Sequence, residues 1–316
     1  MSIPVLLDCD PGHDDMVAIM VAVASEAIDL LGITTVGGNQ TGAKTALNAR
    51  KIMTLLGRED IPIARGCDRP MVRDLRIAPD IHGESGLDGV DLPEPQVELR
   101  GEHAVDFLET TLRGSAKPVT LVPTGPLTNI GMLLRKAPEV AGKIERIVLM
   151  GGAVHDSNVT PAAEFNILVD PEAADIVFHS GIPITMVGLD VTNRAMLESA
   201  DFDALEAMGG RVSTIVAPLM RFFAGTYRSV FGIYGAPLHD ALAMAAVAEP
   251  TVISTKRWYV AIETAGRYTT GQTLADVYGI TGHEPNADVA MDLDAARFKE
   301  IIFETMRRLD SEVAAG

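Results

Sequence analysis

Eight residues near the start of the chain, Asp8-Cys9-Asp10-Pro11-Gly12-His13-Asp14-Asp15, carry four carboxylates between two apolar runs, Ile3 to Leu7 and Met16 to Ala24. Two like charges about 4 Å apart repel by roughly 4 kcal/mol at an effective dielectric near 20. Folded together, these side chains need a compensating cation or raised pKa values. Carboxylates and backbone carbonyls are hard oxygen donors that suit Ca²⁺ or Mg²⁺, and a site with many protein oxygens and variable geometry favours Ca²⁺. Asp10 at the strand end and Asp15 at the helix start are the leading ligands, with the Pro11-Gly12 turn closing the loop between them. Complementing a helix N-terminus, the plainer role for Asp14 and Asp15, is worth only about 0.3–1 kcal/mol each and does not call for four acids. A DxD at a strand end also serves acid-loop phosphohydrolases, with Asp8 as nucleophile and Asp10 as acid. That chemistry needs Mg²⁺ and a basic residue on the phosphate, and the surroundings here are acidic. Neither GxxxxGK[ST] nor GxGxxG follows the first strand, so a phosphate-cradling loop has no direct support.

The elements that must hold this loop alternate. Ile3 to Leu7 precedes a helical pattern from about Asp14 to Ser25, and Leu30 to Val36 precedes another from about Thr41 to Leu56. The rhythm continues with apolar runs at 61–64, 119–122, 147–150 and 184–188, separated by helical stretches near 102–112, 127–135 and 172–180. Near-continuous apolar strands between helices predict an α/β fold: a mainly parallel, doubly wound, Rossmann-like sheet flanked by helices, as a single domain over 1–316. Beyond Leu197 the pattern turns mostly helical, and 258–270 reads as a hairpin. In such sheets ligands bind beyond the carboxyl ends of the strands. Four strands end suggestively, at Asp8 and Asp10, Gly37-Gly38-Asn39, Pro123-Thr124-Gly125-Pro126 and Gly151-Gly152. Small residues there let backbone approach a ligand, so one pocket could collect all four. The segment 67–99, rich in Pro, Gly and Asp, has the length of a functional loop.

Bulk properties exclude several partners. Acidic residues outnumber basic ones 43 to 26, a formal charge of -17 that opposes nucleic acid and anionic lipid. The two cysteines, Cys9 and Cys67, form no CxxC or CxxH pattern, so neither a disulfide framework nor a zinc site is supported and a reducing cytoplasm is expected. No apolar run reaches the roughly 18 residues that span a bilayer, and no leader pattern precedes the first strand; the expectation is a soluble, unprocessed chain with no membrane partner.

Seven blocks taken in order are more specific than the acidic string alone: DCDPGHDD after a strand, ITTVGGNQT at 33–41, HGESG at 82–86, LVPTGPLTNI at 121–130, VLMGGA at 148–153, AEFNILVDPEAA at 163–174 and LHDALAMA at 238–245. Together they resemble the nucleoside hydrolase family, most closely its inosine-uridine preferring branch. Carried over residue by residue, the resemblance implies a Ca²⁺ ion on Asp10, Asp15, the Thr124 carbonyl and Asp240. It places Asp14, Asn39, Asn158, Glu164 and Asn166 on the ribose, and the base near His82, Phe165, Tyr227 and His239. A vicinal diol suits a hard cation ringed by carboxylate and amide groups.

The implied reaction is hydrolysis of the N-glycosidic bond of ribonucleosides such as inosine and uridine through an oxocarbenium-like transition state. Asp10 would take a proton from water, and His239 would protonate or hydrogen-bond the leaving base. A pyrimidine-preferring hydrolase is the alternative, a non-catalytic nucleoside binder a more distant one. Phe231 and Gly232 stand where several members have polar base contacts, so the resemblance speaks for the sugar end and leaves base preference open. Tyr234 competes with Tyr227 for the base, Asp8 stands behind the metal loop, and His13 carries no assigned role. Homo-oligomers, dimeric or tetrameric, are the family's habit.

Overall fold

A computed structural model describes residues 2–315. In chain order the elements are β1 (Ile3–Cys9), α1 (His13–Ala24), β2 (Ile28–Thr35), α2 (Gly42–Leu55), β3 (Ile63–Arg65), α3 (Pro79–His82), α4 (Ala104–Gly114), β4 (Val119–Pro123), α5 (Thr128–Lys136), β5 (Ile144–Met150), α6 (Phe165–Val169) and α7 (Pro171–Phe178). There follow β6 (Ile184–Val187), α8 (Leu189–Thr192), β7 (Met196–Leu197), α9 (Ser199–Ala207), α10 (Ser213–Phe231), β8 (Ala236–Pro237), α11 (His239–Ala248), β9 (Ile253–Trp258), β10 (Val260–Ile262), β11 (Thr273–Ala275), β12 (Ala287–Leu293) and α12 (Ala295–Ala315).

One sheet runs through the molecule in the order β3-β2-β1-β4-β5-β6-β12-β9. All its pairs are parallel except β12 with β9. Helices cover both faces, as continuous apolar strands require. On one side α1 and α11 bring Met16, Ile19 and Met20 against Leu242 and Met244. On the other, Leu108, Ile130, Leu133 and Val177 of α4, α5 and α7 form a second core. Helix α1 is buried almost all round because it lies between the sheet and α11, which is why its sequence has no polar face. The strand order turns at β1, with β2 on one side and β4 on the other, so a crevice opens where the loops after β1 and β4 part. Among the described residues no helix is long and apolar enough to cross a membrane.

Two expectations are corrected. The hairpin expected at 258–270 is not closed there: β9 joins the main sheet, and β10 pairs with the more distant β11, Val260 opposite Ala275. The mostly helical reading beyond Leu197 also missed β12, whose Asp288 and Asp292 break the apolar run even though the strand lies between β6 and β9. Only Ala287, Val289 and Ala290 of its seven residues are buried, so it lacks the uniform hydrophobicity of the central strands.

Candidate active site

Asp10 is the first residue beyond β1, and its carboxylate lies between two glycine backbones. A Cβ on Gly38, after β2, would stand 2.1 Å from Asp10 Oδ2, and one on Gly125, after β4, would stand 2.5 Å from Oδ1. The small residues at those strand ends therefore serve close approach to Asp10. The Asn39 backbone N–H donates to Asp10 Oδ2 at 2.6 Å, and its side-chain amide donates to Asp15 Oδ2 at 3.1 Å. Asp15 Oδ2 also accepts the Gly12 N–H at 2.9 Å, and Asp15 Oδ1 accepts the Thr124 hydroxyl at 3.0 Å. Beneath them Asp8 accepts from Thr34 Oγ1 at 2.6 Å and Asn129 Nδ2 at 2.7 Å, so it braces β1 against its neighbours.

Asp240 reaches this floor from the far end of the chain. The short pairing of β7 with β8 and the Leu238 N–H on the Ala195 carbonyl, 2.8 Å, set the start of α11 beside α1. Carboxylate oxygens of Asp14, Asp15 and Asp240 then lie within 4.8 Å of one another, all three residues buried. Asp10 adjoins this group and is not one of the three. Among the described residues no lysine or arginine pairs with any of these acids. Burial, followed by mutual repulsion with Asp15, drives Asp14 up to about 7 and Asp10 well above the usual carboxylate range. Burial and the charges of Asp14, Asp15 and Asp10 do the same to Asp240.

The residues fit a hard divalent cation. Among the described residues Asp10 Oδ1 is buried without a hydrogen-bond partner, the donors are all oxygens, and the neighbouring charge is uniformly negative.

The wall after β5 is built by a helix start. Glu164 caps α6, its carboxylate accepting from the amides of Asn166 at 2.9 Å, Ile167 at 3.1 Å and Gly152 at 2.9 Å. Those three donors hold it in one orientation. Asn166 Nδ2 donates to the Thr124 carbonyl at 2.8 Å, and Asn158 Oδ1 accepts the Phe165 N–H at 3.0 Å.

Above the floor opens a cleft of about 220 Å³ whose lining includes Asp14, Asn39, Thr124, Glu164, Asn166 and Asp240 at its polar end. Asn158, His82, Phe165, Tyr227 and His239 line it as well, so the candidates for ribose and base share one cavity, while Asp10 and Asp15 lie fully buried at its floor. At the upper end Tyr227 Oη is 2.8 Å from His239 Nε2, and His239 Nδ1 is 2.7 Å from Thr192 Oγ1. Both ring nitrogens of His239 are therefore engaged within the protein, on Tyr227 and Thr192. Burial pushes His239 down to about 4, which leaves the ring neutral near pH 7. Tyr234 is 70% exposed, with Arg228 4.8 Å over its ring, and is not part of the cavity lining; Tyr227 is 7% exposed and is.

Phe223, Met150 and Val230 line the cleft without having been singled out, Phe231 lines it as its place in the base-contact segment suggested, and Thr192 stands behind His239. Apolar residues on a helix read as core, and a threonine has no linear signal of its partner; only the spacing of Phe223 and Tyr227, one helical turn apart, could have hinted at a shared face.

The family described as inosine-uridine preferring nucleoside hydrolase matches residues 5–300. A pyrimidine-specific ribonucleoside hydrolase RihA of Escherichia fergusonii is 50% identical over 308 residues, covering 97% of this chain and 99% of its own. Its counterpart in Citrobacter koseri is 50% identical over 307 residues, covering 97% and 98%. Among solved structures, a purine-preferring ribonucleoside hydrolase from Gardnerella vaginalis has a TM-score of 0.91 at 34% identity, over 99% of this chain and all of that one.

Proposed function

This chain belongs to the inosine-uridine preferring nucleoside hydrolase family and is a ribonucleoside hydrolase, and from that premise we propose that it cleaves pyrimidine ribonucleosides with Ca²⁺ as its metal. The observation that carries the reading is the ring of buried carboxylates, without a cationic partner among the described residues, on the floor of a cleft lined by asparagines and Glu164. Asp10, Asp15, the Thr124 carbonyl and Asp240 would hold the ion. Bound there, it supplies a Lewis acid that fixes a ribose diol and lowers the pKa of water.

The protein's own groups do the rest. Asp14, Asn39, Asn158, Glu164 and Asn166 offer acceptors and donors to the ribose hydroxyls. Asp10, through its free Oδ1, takes the proton of the attacking water. The carboxylates of Asp14 and Glu164 favour the positive charge that develops on the sugar as the glycosidic bond breaks. Tyr227, backed by His239 and Thr192, presents a hydroxyl to the departing base. The acidic floor disfavours a nucleotide phosphate. Preference for pyrimidines over purines rests on the two relatives at half identity, both named pyrimidine-specific. The thiols of Cys9 and Cys67, both free, suit a reducing cytoplasm.

Steady-state kinetics on uridine, cytidine and inosine test this. Uridine or cytidine should exceed inosine in kcat/KM by about tenfold or more, a difference of about 1.4 kcal/mol in transition-state binding. Equal or reversed values would remove the pyrimidine preference, and release of phosphate from esters without ribose from nucleosides would remove the activity itself.

The leaving-group role has its own test. Tyr227→Phe should lower kcat on uridine by about 10- to 100-fold, within the range for general acid catalysis, and change turnover of nitrophenyl riboside by less than about threefold. Nitrophenolate needs no proton to depart. Equal losses on both substrates would refute the role.

A further inference from the structure

His13 sits inside the acidic loop, yet it faces away from the carboxylates. Its ring is fully buried, stacked on Phe222 (centroids 5.5 Å, 8°) and Phe223 (4.9 Å, 2°) of α10. Its two nitrogens meet different partners: Nε2 lies 2.9 Å from the Asp88 carbonyl and Nδ1 lies 3.2 Å from Nδ1 of His82. The loop that carries both partners is tied down. Asp88 accepts from the Glu84 and Ser85 amides, Gly83 takes a positive φ of 75° where a Cβ would meet Asp88, and Thr226 of α10 donates to the Ile81 carbonyl at 2.9 Å.

These contacts constrain where the protons go. A carbonyl oxygen only accepts, so His13 Nε2 must carry a hydrogen. A neutral ring then has only a lone pair on Nδ1, and neutrality is what an enclosed ring with aromatic faces and no carboxylate partner requires. The 3.2 Å contact needs one proton, and His82 Nδ1 must supply it. The backbone N–H of His13 also points at this atom, at 3.4 Å, and would call for a lone pair there; the shorter pair of contacts, 2.9 Å to the Asp88 carbonyl and 3.2 Å between the rings, is satisfied by a neutral His13 only with the proton on His82 Nδ1. His82 is thereby left with a lone pair on Nε2. That atom has no protein partner among the described residues, and His82 lines the cleft.

We propose that His13 is a positioning residue that locks His82 in the tautomer with the proton on Nδ1, making His82 Nε2 a hydrogen-bond acceptor for an N–H of the bound nucleobase. This rests on the ribonucleoside reading of the cleft. A base that presents an N–H toward His82 is held, and one that presents only a carbonyl there meets a lone pair. His13 touches no substrate and acts through the ring it faces.

Nitrogen-15 NMR of histidine-labelled protein without substrate tests the tautomer directly. The wild type should show His82 protonated on Nδ1 and bare on Nε2; the opposite assignment overturns the proposal, and this measurement needs neither a variant nor turnover. Kinetics on uridine then separate positioning from mere support. His13→Asn places an amide oxygen where Nδ1 was, to accept from His82, but cannot reach Asp88. His13→Gln can reach the Asp88 carbonyl but offers nothing at Nδ1. Asn should stay within about threefold of wild type, whereas Gln and His13→Phe should lose about tenfold in kcat/KM, chiefly through KM, the size of one buried hydrogen bond. In a His82→Ala background all three should have no further effect. Rescue by Gln and not Asn, or the same loss with and without His82, would show that His13 only tethers the loop. If the wild type cleaved no nucleoside, the function reading would fall while the NMR result still decided the tautomer.

Discussion

Asp10→Asn is expected to lower kcat on uridine by about 10³-fold or more while KM changes by less than about tenfold. The substitution keeps the size of the side chain and its fit between Gly38 and Gly125, where a Cβ on either glycine would overlap the carboxylate. An amide can still accept the Asn39 N–H through its oxygen. What disappears is the charge and the proton-accepting Oδ1, a buried oxygen with no hydrogen-bond partner among the described residues. General-base removal costs about 10²–10⁴, and a loss of negative charge beside the sugar adds to it. Most ribose contacts belong to other side chains, so ground-state binding should persist. A variant with kcat within tenfold of wild type would take the base role away from Asp10; a large rise in KM with kcat intact would make it a binding group only.

Removal of divalent ions is expected to abolish turnover, with activity restored by Ca²⁺, and to lower Tm by about 5 °C or more at pH 8. At pH 5 the fall in Tm should be clearly smaller. The sign follows from the acids on the floor. Asp14 is raised from 3.8 to about 7 in the folded, metal-free protein, and Asp8 likewise, so the folded state binds more protons than the unfolded chain between those values. The stability these two acids contribute to the metal-free form is therefore fully present below about 3.8 and is lost as pH rises through about 7. A cation replaces the protons and cancels the repulsion that burial makes costly. Identical shifts at both pH values would mean that the carboxylates on the floor are not the groups stabilised by the ion. Recovery of activity with Mg²⁺ and not Ca²⁺ would change the metal.

Legibility differed sharply between the two ends of the cleft. The sugar and metal candidates fall in strand-end loops where polar residues interrupt long apolar runs, and DCDPGHDD or VGGNQ stands out against such a background. The central strands, buried on both faces, announced themselves the same way, whereas β12 with its two aspartates did not. Asp240 could be matched through its block, but that it meets Asp14 and Asp15 depends on the β7–β8 pairing, a contact of two-residue strands with no sequence signal. His13 had no reading at all, because its partner His82 is 69 positions away.

The chain's linear pattern alone determined the α/β sheet, the crevice at its carboxyl edge and an acidic loop that calls for a cation, because each follows from local periodicity and local charge. Only the tertiary structure decided that Tyr227 rather than Tyr234 lines the cleft, that His239 is committed to Tyr227 and Thr192, and that His13 faces His82. The physical reason is that α10 and the loop before α4 meet over the site by aromatic packing, and apolar residues that line a pocket obey the same burial rule as those that fill a core.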